Sequence, residues 1–267
     1  MINIISFPNL GWEFSINRVA FTVFGTPVYF YGLLIGLGLL LAVAYGLYET
    51  KRVGIEHDDL FNMLLISLPV SIICARLYYV AFQWDYYKNN LSEVINIRGG
   101  GIAIYGAVIG AALVVYTYCR IKKLSIAKCL DVLSIGLLIG QMVGRWGNFV
   151  NGEAFGSQTD LPWAMTIVQE GSLIAEMVHP TFLYESLWNA LGIILLWLYR
   201  KHKKFEGELI CGYMIWYGIG RMMIEGLRTD SLMLGSFRVS QLLSVGLVIT
   251  GIIIVILKRK SLKTLDK

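Results

Sequence analysis

Apolar residues in this chain neither alternate nor keep to one stripe; they run almost unbroken for about twenty positions at a time. Such runs cover residues 26–48, 60–82, 102–119, 126–146, 181–199, 208–227 and 238–257, each near the ~20 residues a helix needs to cross hydrocarbon. Backbone groups in lipid must bond within their own segment, so the pattern predicts about seven spanning helices. Small residues at helical spacing, Gly32 and Gly36, Gly106 and Gly110, and Gly136, Gly140 and Gly144, predict close helix contacts. The longest connection, residues 147–180, exceeds a simple turn and is expected to form a small outer cap, with a strand and turn in PWAMTIVQEG. Ahead of the first run, MINIISFPNLGWEFSINRVAF lacks the basic stretch and small-residue cleavage site of a removable signal peptide. It is expected to stay and lie at the membrane interface through Phe7, Trp12 and Phe14. The fold class implied is all-α: a polytopic transmembrane bundle in one membrane-embedded domain over residues 1–267.

Composition agrees with a lipid solvent. The 267 residues are 56% hydrophobic and 15% charged, against roughly a quarter charged in soluble domains. The four cysteines, Cys74, Cys119, Cys129 and Cys211, lie in or beside apolar runs without a CxxC pair. They read as small hydrophobes, and no metal-ligand set or cofactor is implied. The net charge of +5 matters less than its distribution. Lys51 and Arg52, Arg120 to Lys128, Arg200 to Lys204 and Lys258 to Lys267 gather after alternate spans, while the opposite loops hold only Arg18, Lys88, Arg98, Arg228 and Arg238. That bias predicts the N-terminus outside and the C-terminus in the cytoplasm. Trp84, Tyr86, Tyr87 and Trp146 suit an outer aromatic belt.

Charges within spans are costly and point to function. The fourth span ends GQMVGRWGNFVNGEAFG, where Arg145, Asn148, Asn151 and Glu153 follow at short spacing and Gly144, Gly147, Gly152 and Gly156 leave room for a close neighbour. A cation, two amides and a carboxylate there suit a polar ligand; the alternative is an Arg145–Glu153 pair that only satisfies a helix end. The sixth span contributes YGIGRMMIEGLRTD, in which Tyr217, Arg221, Glu225 and Arg228 recur at intervals that share one helix face. Guanidiniums grip phosphate oxygens through a planar fork, and low dielectric strengthens the attraction. Arg145 and Arg221 are therefore the candidate anion clamp, with Glu225 holding a guanidinium. The alternative is an i, i+4 pair serving packing alone. Tyr31 and Tyr105 could reach a ligand or serve the aromatic belt, and HPTFLYE (His179 to Glu185) opens the fifth span with Pro180 as a helix starter. Arg76 is deep enough to need a partner that the sequence does not name.

In these segments, FYGLLIGL, GGGIAIYGAVIG, GRWGNFVNGEAFG, HPTFLYE and YGIGRMMIEGLRTD, the chain resembles the bacterial prolipoprotein diacylglyceryl transferases across nearly its whole length. The resemblance implies transfer of a diacylglyceryl group from phosphatidylglycerol to the lipobox cysteine of a prolipoprotein signal peptide, releasing glycerol phosphate. It implies a plasma-membrane enzyme with its active site on the extracytoplasmic side. Partners would be membrane lipid and the preprotein, with no nucleic acid and no cofactor. It implies Arg145 and Arg221 as essential, with Glu153 and Tyr105 also in the catalytic set, and Tyr31, Asn148, Gly156, Tyr217, Glu225 and Arg228 at substrate-binding positions. Many members carry a histidine where Tyr105 stands here, so a general-base role for that histidine does not transfer. The thiol must ionise to attack, and the base is left unassigned between nearby arginines lowering the thiol's pKa and a carboxylate such as Glu153 or Glu225.

Two other classes compete. A transporter would also place charges in spans, but there is no internal repeat and the polar groups gather near one face. A lipid-binding scaffold would retain lipid without turnover. No GxSxG elbow or HExxH helix suggests another membrane-enzyme class.

Overall fold

The computed structural model describes residues 2–97, 100–169, 172–235 and 237–265; Arg98, Gly99, Glu170, Gly171 and Lys267, named above for charge or turns, lie outside the described residues. Helices occupy each predicted run: α1 Phe30–Val53, α2 His57–Phe82, α4 Ile104–Lys122, α5 Ile126–Asn151, α6 Thr181–Tyr199, α7 Glu208–Glu225 and α8 Val239–Leu265, with a single-turn α3 at Trp84–Tyr87. Six of them are long and apolar enough to cross a membrane; α7, with Glu208, Arg221 and Glu225, is not among those six. Their outward side chains include Leu40 at 68%, Ile73 at 57% and Leu257 at 62% exposure, which water would penalise and acyl chains would not. The chain is a multi-pass membrane protein.

The contacts divide the chain into two compact units, Met1–Tyr45 with Asp131–Lys267, and Gly46–Leu130. In the first, strands stand where the sequence predicted an interfacial N-terminus. Strand β1 (Ile2–Phe7) pairs antiparallel with β2 (Trp12–Asn17) and with β5 (Met165–Gln169), and β6 (Ser172–Val178) completes the sheet in the order β2-β1-β5-β6. Ile5, Phe7, Met165, Ile167 and Val178 close its core against Phe149 at the end of α5 and Phe182 at the start of α6. A second hairpin, β3 (Val19–Val23) and β4 (Thr26–Tyr29), leads into α1, and a third, β7 (Met233–Leu234) and β8 (Phe237–Arg238), leads into α8. The all-α expectation thus holds for the spans and not for the segments around them.

Helix α7 is held against its neighbours in two places. At its start the buried Asp131 of α5 accepts hydrogen bonds from the amides of Gly207, Leu209 and Ile210 at 2.9–3.0 Å and from Lys203 Nζ at 2.7 Å, satisfying the donors a helix N-terminus leaves over. Further along, Trp188 of α6 and Trp216 of α7 stack with centroids 4.3 Å apart. Each indole nitrogen donates to the other's carbonyl at 3.0 Å. One turn beyond each tryptophan is a glycine facing the opposite ring: a Cβ at Gly192 would meet Trp216 Nε1 at 2.4 Å, and one at Gly220 would meet Trp188 Nε1 at 2.2 Å.

In the second unit Gly106 and Gly110 of α4 pack on Cys74 of α2, where an added Cβ would stand 2.4 Å from the Cys74 carbonyl and 2.9 Å from its Cβ respectively. The packing expectation fails for Gly32 and Gly36, at which an added Cβ would meet no described atom within 4 Å; Gly140 does meet α1, at Gly38, whose added Cβ would lie 3.3 Å from the Gly140 carbonyl. Arg76 finds four carbonyls in place of a carboxylate: Glu93 at 2.5 Å, Val94 at 2.8 Å, Gly100 at 2.8 Å and Gly101 at 2.7 Å. Its guanidinium also lies 5.1 Å from the Tyr87 ring centre, a favourable site for a desolvated cation.

Candidate active site

Helices α5, α6 and α7 bring three arginines to one carboxylate. Arg145, near the end of α5, places Nη2 2.5 Å from Glu185 Oε2; Arg221 of α7 places Nη1 3.0 Å from Glu185 Oε1; and Arg228, just past α7, places Nη1 3.7 Å from the same oxygen. Glu185 stands in the first turns of α6 and is 6% exposed. Its neighbour fixes its direction: Ser186 Oγ donates to the Met142 carbonyl and accepts from Trp146 Nε1, both at 3.1 Å, so α6 is bonded to α5 one residue away from the carboxylate.

Around this centre each cation has a second partner. Arg221 Nη2 lies 2.6 Å from Glu225 Oε2, as the i, i+4 spacing predicts. Glu225, at 2% exposure, also accepts from Ser240 Oγ through its side chain and from Arg238 through its carbonyl. Arg228 forks onto Asp230 at 2.8 and 2.9 Å. Burial pushes the Asp230 carboxyl up, but the hydrogen bonds and charge of Arg228 outweigh it and hold the group below its ordinary range. Arg145 Nη1 donates to Asn148 Oδ1 at 3.2 Å. Asn148 in turn donates to Glu153 at 3.0 Å, and Asn151 reaches the same oxygen at 3.3 Å.

The sequence-predicted residues fall into this arrangement unevenly. Arg145, Arg221, Glu225 and Arg228 share the cluster. Asn148 and Glu153 extend it, and the bond that would have made Arg145–Glu153 a simple helix-end pair is replaced by the amide relay. Tyr217 lines a small cleft beside Glu185 with Trp188, Asn189, Gly220, Arg221 and Ile224, and its ring stacks on Tyr213 at 5.6 Å. Tyr31 lies over Gly147, whose added Cβ would stand 2.6 Å from the ring. It also lines a groove of about 650 Å³ with Arg18, Val28, Tyr29, Gly32, Leu33 and Asn151. Gly156 bonds to the His179 carbonyl at 3.0 Å and bridges to Arg228; a Cβ there would meet His179 Cβ at 2.7 Å. Tyr105 stands in the second unit, its ring 6.4 Å from that of Tyr78. The hub itself, Glu185, was not among the predicted site residues. The signal was a carboxylate inside the apolar run TFLYESLWNALGI.

Three partly buried arginines sharing carboxylates at the end of a helix bundle suit an anion in a lipid setting, and comparison with known proteins gives that setting a family. The family model described as prolipoprotein diacylglyceryl transferase matches residues 18–257. The chain belongs to the prolipoprotein diacylglyceryl transferase family. Among relatives named phosphatidylglycerol-prolipoprotein diacylglyceryl transferase, that of Clostridioides difficile (strain 630) is 49% identical over 237 residues, 89% of this chain and 93% of the relative. That of Finegoldia magna is 46% identical over 252 residues, 94% and 99% of the two chains. That of Bacillus cytotoxicus is 44% identical over 258 residues, 94% and 96%. The segment matched to the transferase family takes in all three arginines and Glu185, and it begins after β1 and β2.

Proposed function

We propose that this transferase moves the diacylglyceryl group of phosphatidylglycerol onto the lipobox cysteine thiol of a prolipoprotein, forming a thioether and releasing glycerol phosphate, the first step of lipoprotein maturation. The observation that carries the site assignment is the convergence of Arg145 and Arg221, from α5 and α7, on the two oxygens of one carboxylate. A phosphodiester offers the same pair of anionic oxygens to the same two forks. The thiolate attacks the glyceryl carbon, the bond from that carbon to the phosphate oxygen breaks, and negative charge grows on the departing phosphate. Two preorganised guanidiniums in a dry site stabilise that charge where it develops.

The remaining assignments follow from what each side chain holds. Asn148 orients Arg145 and is itself oriented by Glu153; Glu225 fixes Arg221. Arg228, Tyr217, Tyr31 and Gly156 shape the lipid-binding surroundings, and Tyr105 belongs to the catalytic set by its motif position. The chain works as one domain in the bacterial plasma membrane, with the site and residues 147–180 on the extracytoplasmic side, a reading supported by the basic residues gathered at the opposite helix ends.

The test is incubation of the purified protein with phosphatidylglycerol and a lipobox peptide, followed by mass spectrometry. A diacylglyceryl adduct on the cysteine with stoichiometric glycerol phosphate is expected, and none on a Cys→Ser peptide. Lipid retained without adduct or released glycerol phosphate would refute the assignment.

A further inference from the structure

Glu185 occupies the position a phosphodiester would need. Its Oε1 and Oε2 lie 3.0 Å and 2.5 Å from Arg221 Nη1 and Arg145 Nη2, so the carboxylate already bridges the two guanidiniums. Among the described residues, the cations Arg145, Arg221 and Arg228 are balanced by Glu185, Glu225 and Asp230. A phosphodiester entering this neutral set adds one negative charge and competes with Glu185 for both forks. Glu225 is less free to leave, being tied to Arg221 and Ser240, and Glu153 is engaged by two amides. Glu185 has the cleft lined by Trp188, Tyr217 and Ile224 beside it. A buried carboxylate stripped of its cations binds a proton more readily.

Resting on the transfer reaction proposed above, we infer that the phosphodiester displaces Glu185 from Arg145 and Arg221, and that the freed carboxylate carries the thiol proton to the departing phosphate. The S–H bond breaks with its proton passing to Glu185 and its electron pair remaining on sulfur. The thiolate forms the S–C bond as the glyceryl carbon's bond to the phosphate oxygen breaks, the pair staying on that oxygen. The proton then moves from Glu185 to the phosphate, which leaves as a monoester monoanion, and Glu185 closes again on the arginines. Counting the three arginines, three carboxylates, lipid and thiol together, the pocket holds one net negative charge at every stage. Without the shuttle a dianion would build up in a site of low dielectric.

The experiment compares wild-type protein, Glu185→Gln and Glu185→Asp in detergent with phosphatidylglycerol and a lipobox peptide, measuring lipid affinity, kcat and the pH dependence of the rate. Glu185→Gln is expected to bind phosphatidylglycerol at least as tightly as wild type, with kcat lower by about 10²–10⁴-fold. Its residual rate is expected to climb about tenfold per pH unit toward the ordinary thiol pKa of about 8.5, because thiolate then has to come from solution. The wild-type profile over that range is expected to be flatter, and Glu185→Asp to recover part of the rate. A near-wild-type kcat, a reduced kcat whose pH profile parallels wild type, or loss of lipid binding in Glu185→Gln would each overturn the shuttle. Wild-type protein gives an independent reading in weak buffer: because the freed carboxylate must be ionised to accept the thiol proton, phosphatidylglycerol binding without peptide is expected to take up far less than one proton, and uptake of a full proton per lipid bound would overturn the shuttle. If Arg145→Lys and Arg221→Lys retain full activity, the clamp itself is wrong; if they lose activity while Glu185→Gln does not, only the shuttle is.

Discussion

The imidazole of His179 shows how a single side chain ties the cap to the helices. Tyr184 Oη accepts from Trp163 Nε1 at 2.7 Å and lies 3.2 Å from His179 Nδ1. Burial pushes the His179 imidazole below its ordinary value. The folded state therefore favours the neutral ring, and its stabilisation is complete above the unfolded value of about 6.5 and lost as pH falls through the lower folded value. The thermal midpoint of the purified protein is expected to decline between pH 7 and pH 5, and His179→Gln to flatten that decline; an unchanged slope would assign the acid sensitivity elsewhere. At this scale the arginines were legible because a guanidinium in an apolar run needs explanation wherever its partner lies. Glu185 was not: its partners sit on other helices, and no local spacing connects them to HPTFLYE.

Between elements, the α6–α7 contact decides whether Glu185 meets Arg221 at all. Trp188 and Trp216 each fill the space of a missing Cβ on the facing helix, and the reciprocal indole bonds set the register. Gly220→Ala would force an atom to 2.2 Å from Trp188 Nε1, and overpacking of this kind costs about 1–3 kcal/mol. A lowered thermal midpoint with a reduced transfer rate is expected for Gly220→Ala. Gly36→Ala, which meets no described atom within 4 Å, is expected to leave both near wild type; equal effects of the two would remove the lock from the explanation. The helices themselves were readable from run length because lipid permits one solution for an apolar segment. Of the four-stranded sheet only the strand in PWAMTIVQEG, β5, was readable; its pairing was not, since β1 is six residues long and finds its partner β5 across most of the chain. Pairing at that separation leaves no trace in either strand's own alternation. The glycine pattern was a mixed guide, right for Gly106 and Gly110 and wrong for Gly32 and Gly36, because spacing marks a smooth helix face without saying what covers it.

For the whole molecule, the proposed orientation puts the basic helix ends in the cytoplasm and the cap outside. Cysteines introduced one at a time into the protein, at Ser157 in the cap and at Ser261 near the end of α8, are expected to react with an impermeant maleimide in intact cells only at the cap. Labelling at Ser261 alone would invert the orientation and put the arginine cluster on the cytoplasmic side. The catalytic assignment requires three separated segments, around Arg145, Glu185 and Arg221, to act as one device. Residues that work as a unit lose activity non-additively. The most direct measurement is therefore the initial rate of peptide adduct formation by Arg145→Lys, Arg221→Lys and the double variant, each checked for folding by its thermal midpoint. Each single variant is expected to lose at least about 10²-fold, the scale of removing one donor from a transition-state anion, and the double variant to lose scarcely more than either. Losses that multiply, or a single variant that transfers lipid at the wild-type rate, would contradict the shared clamp.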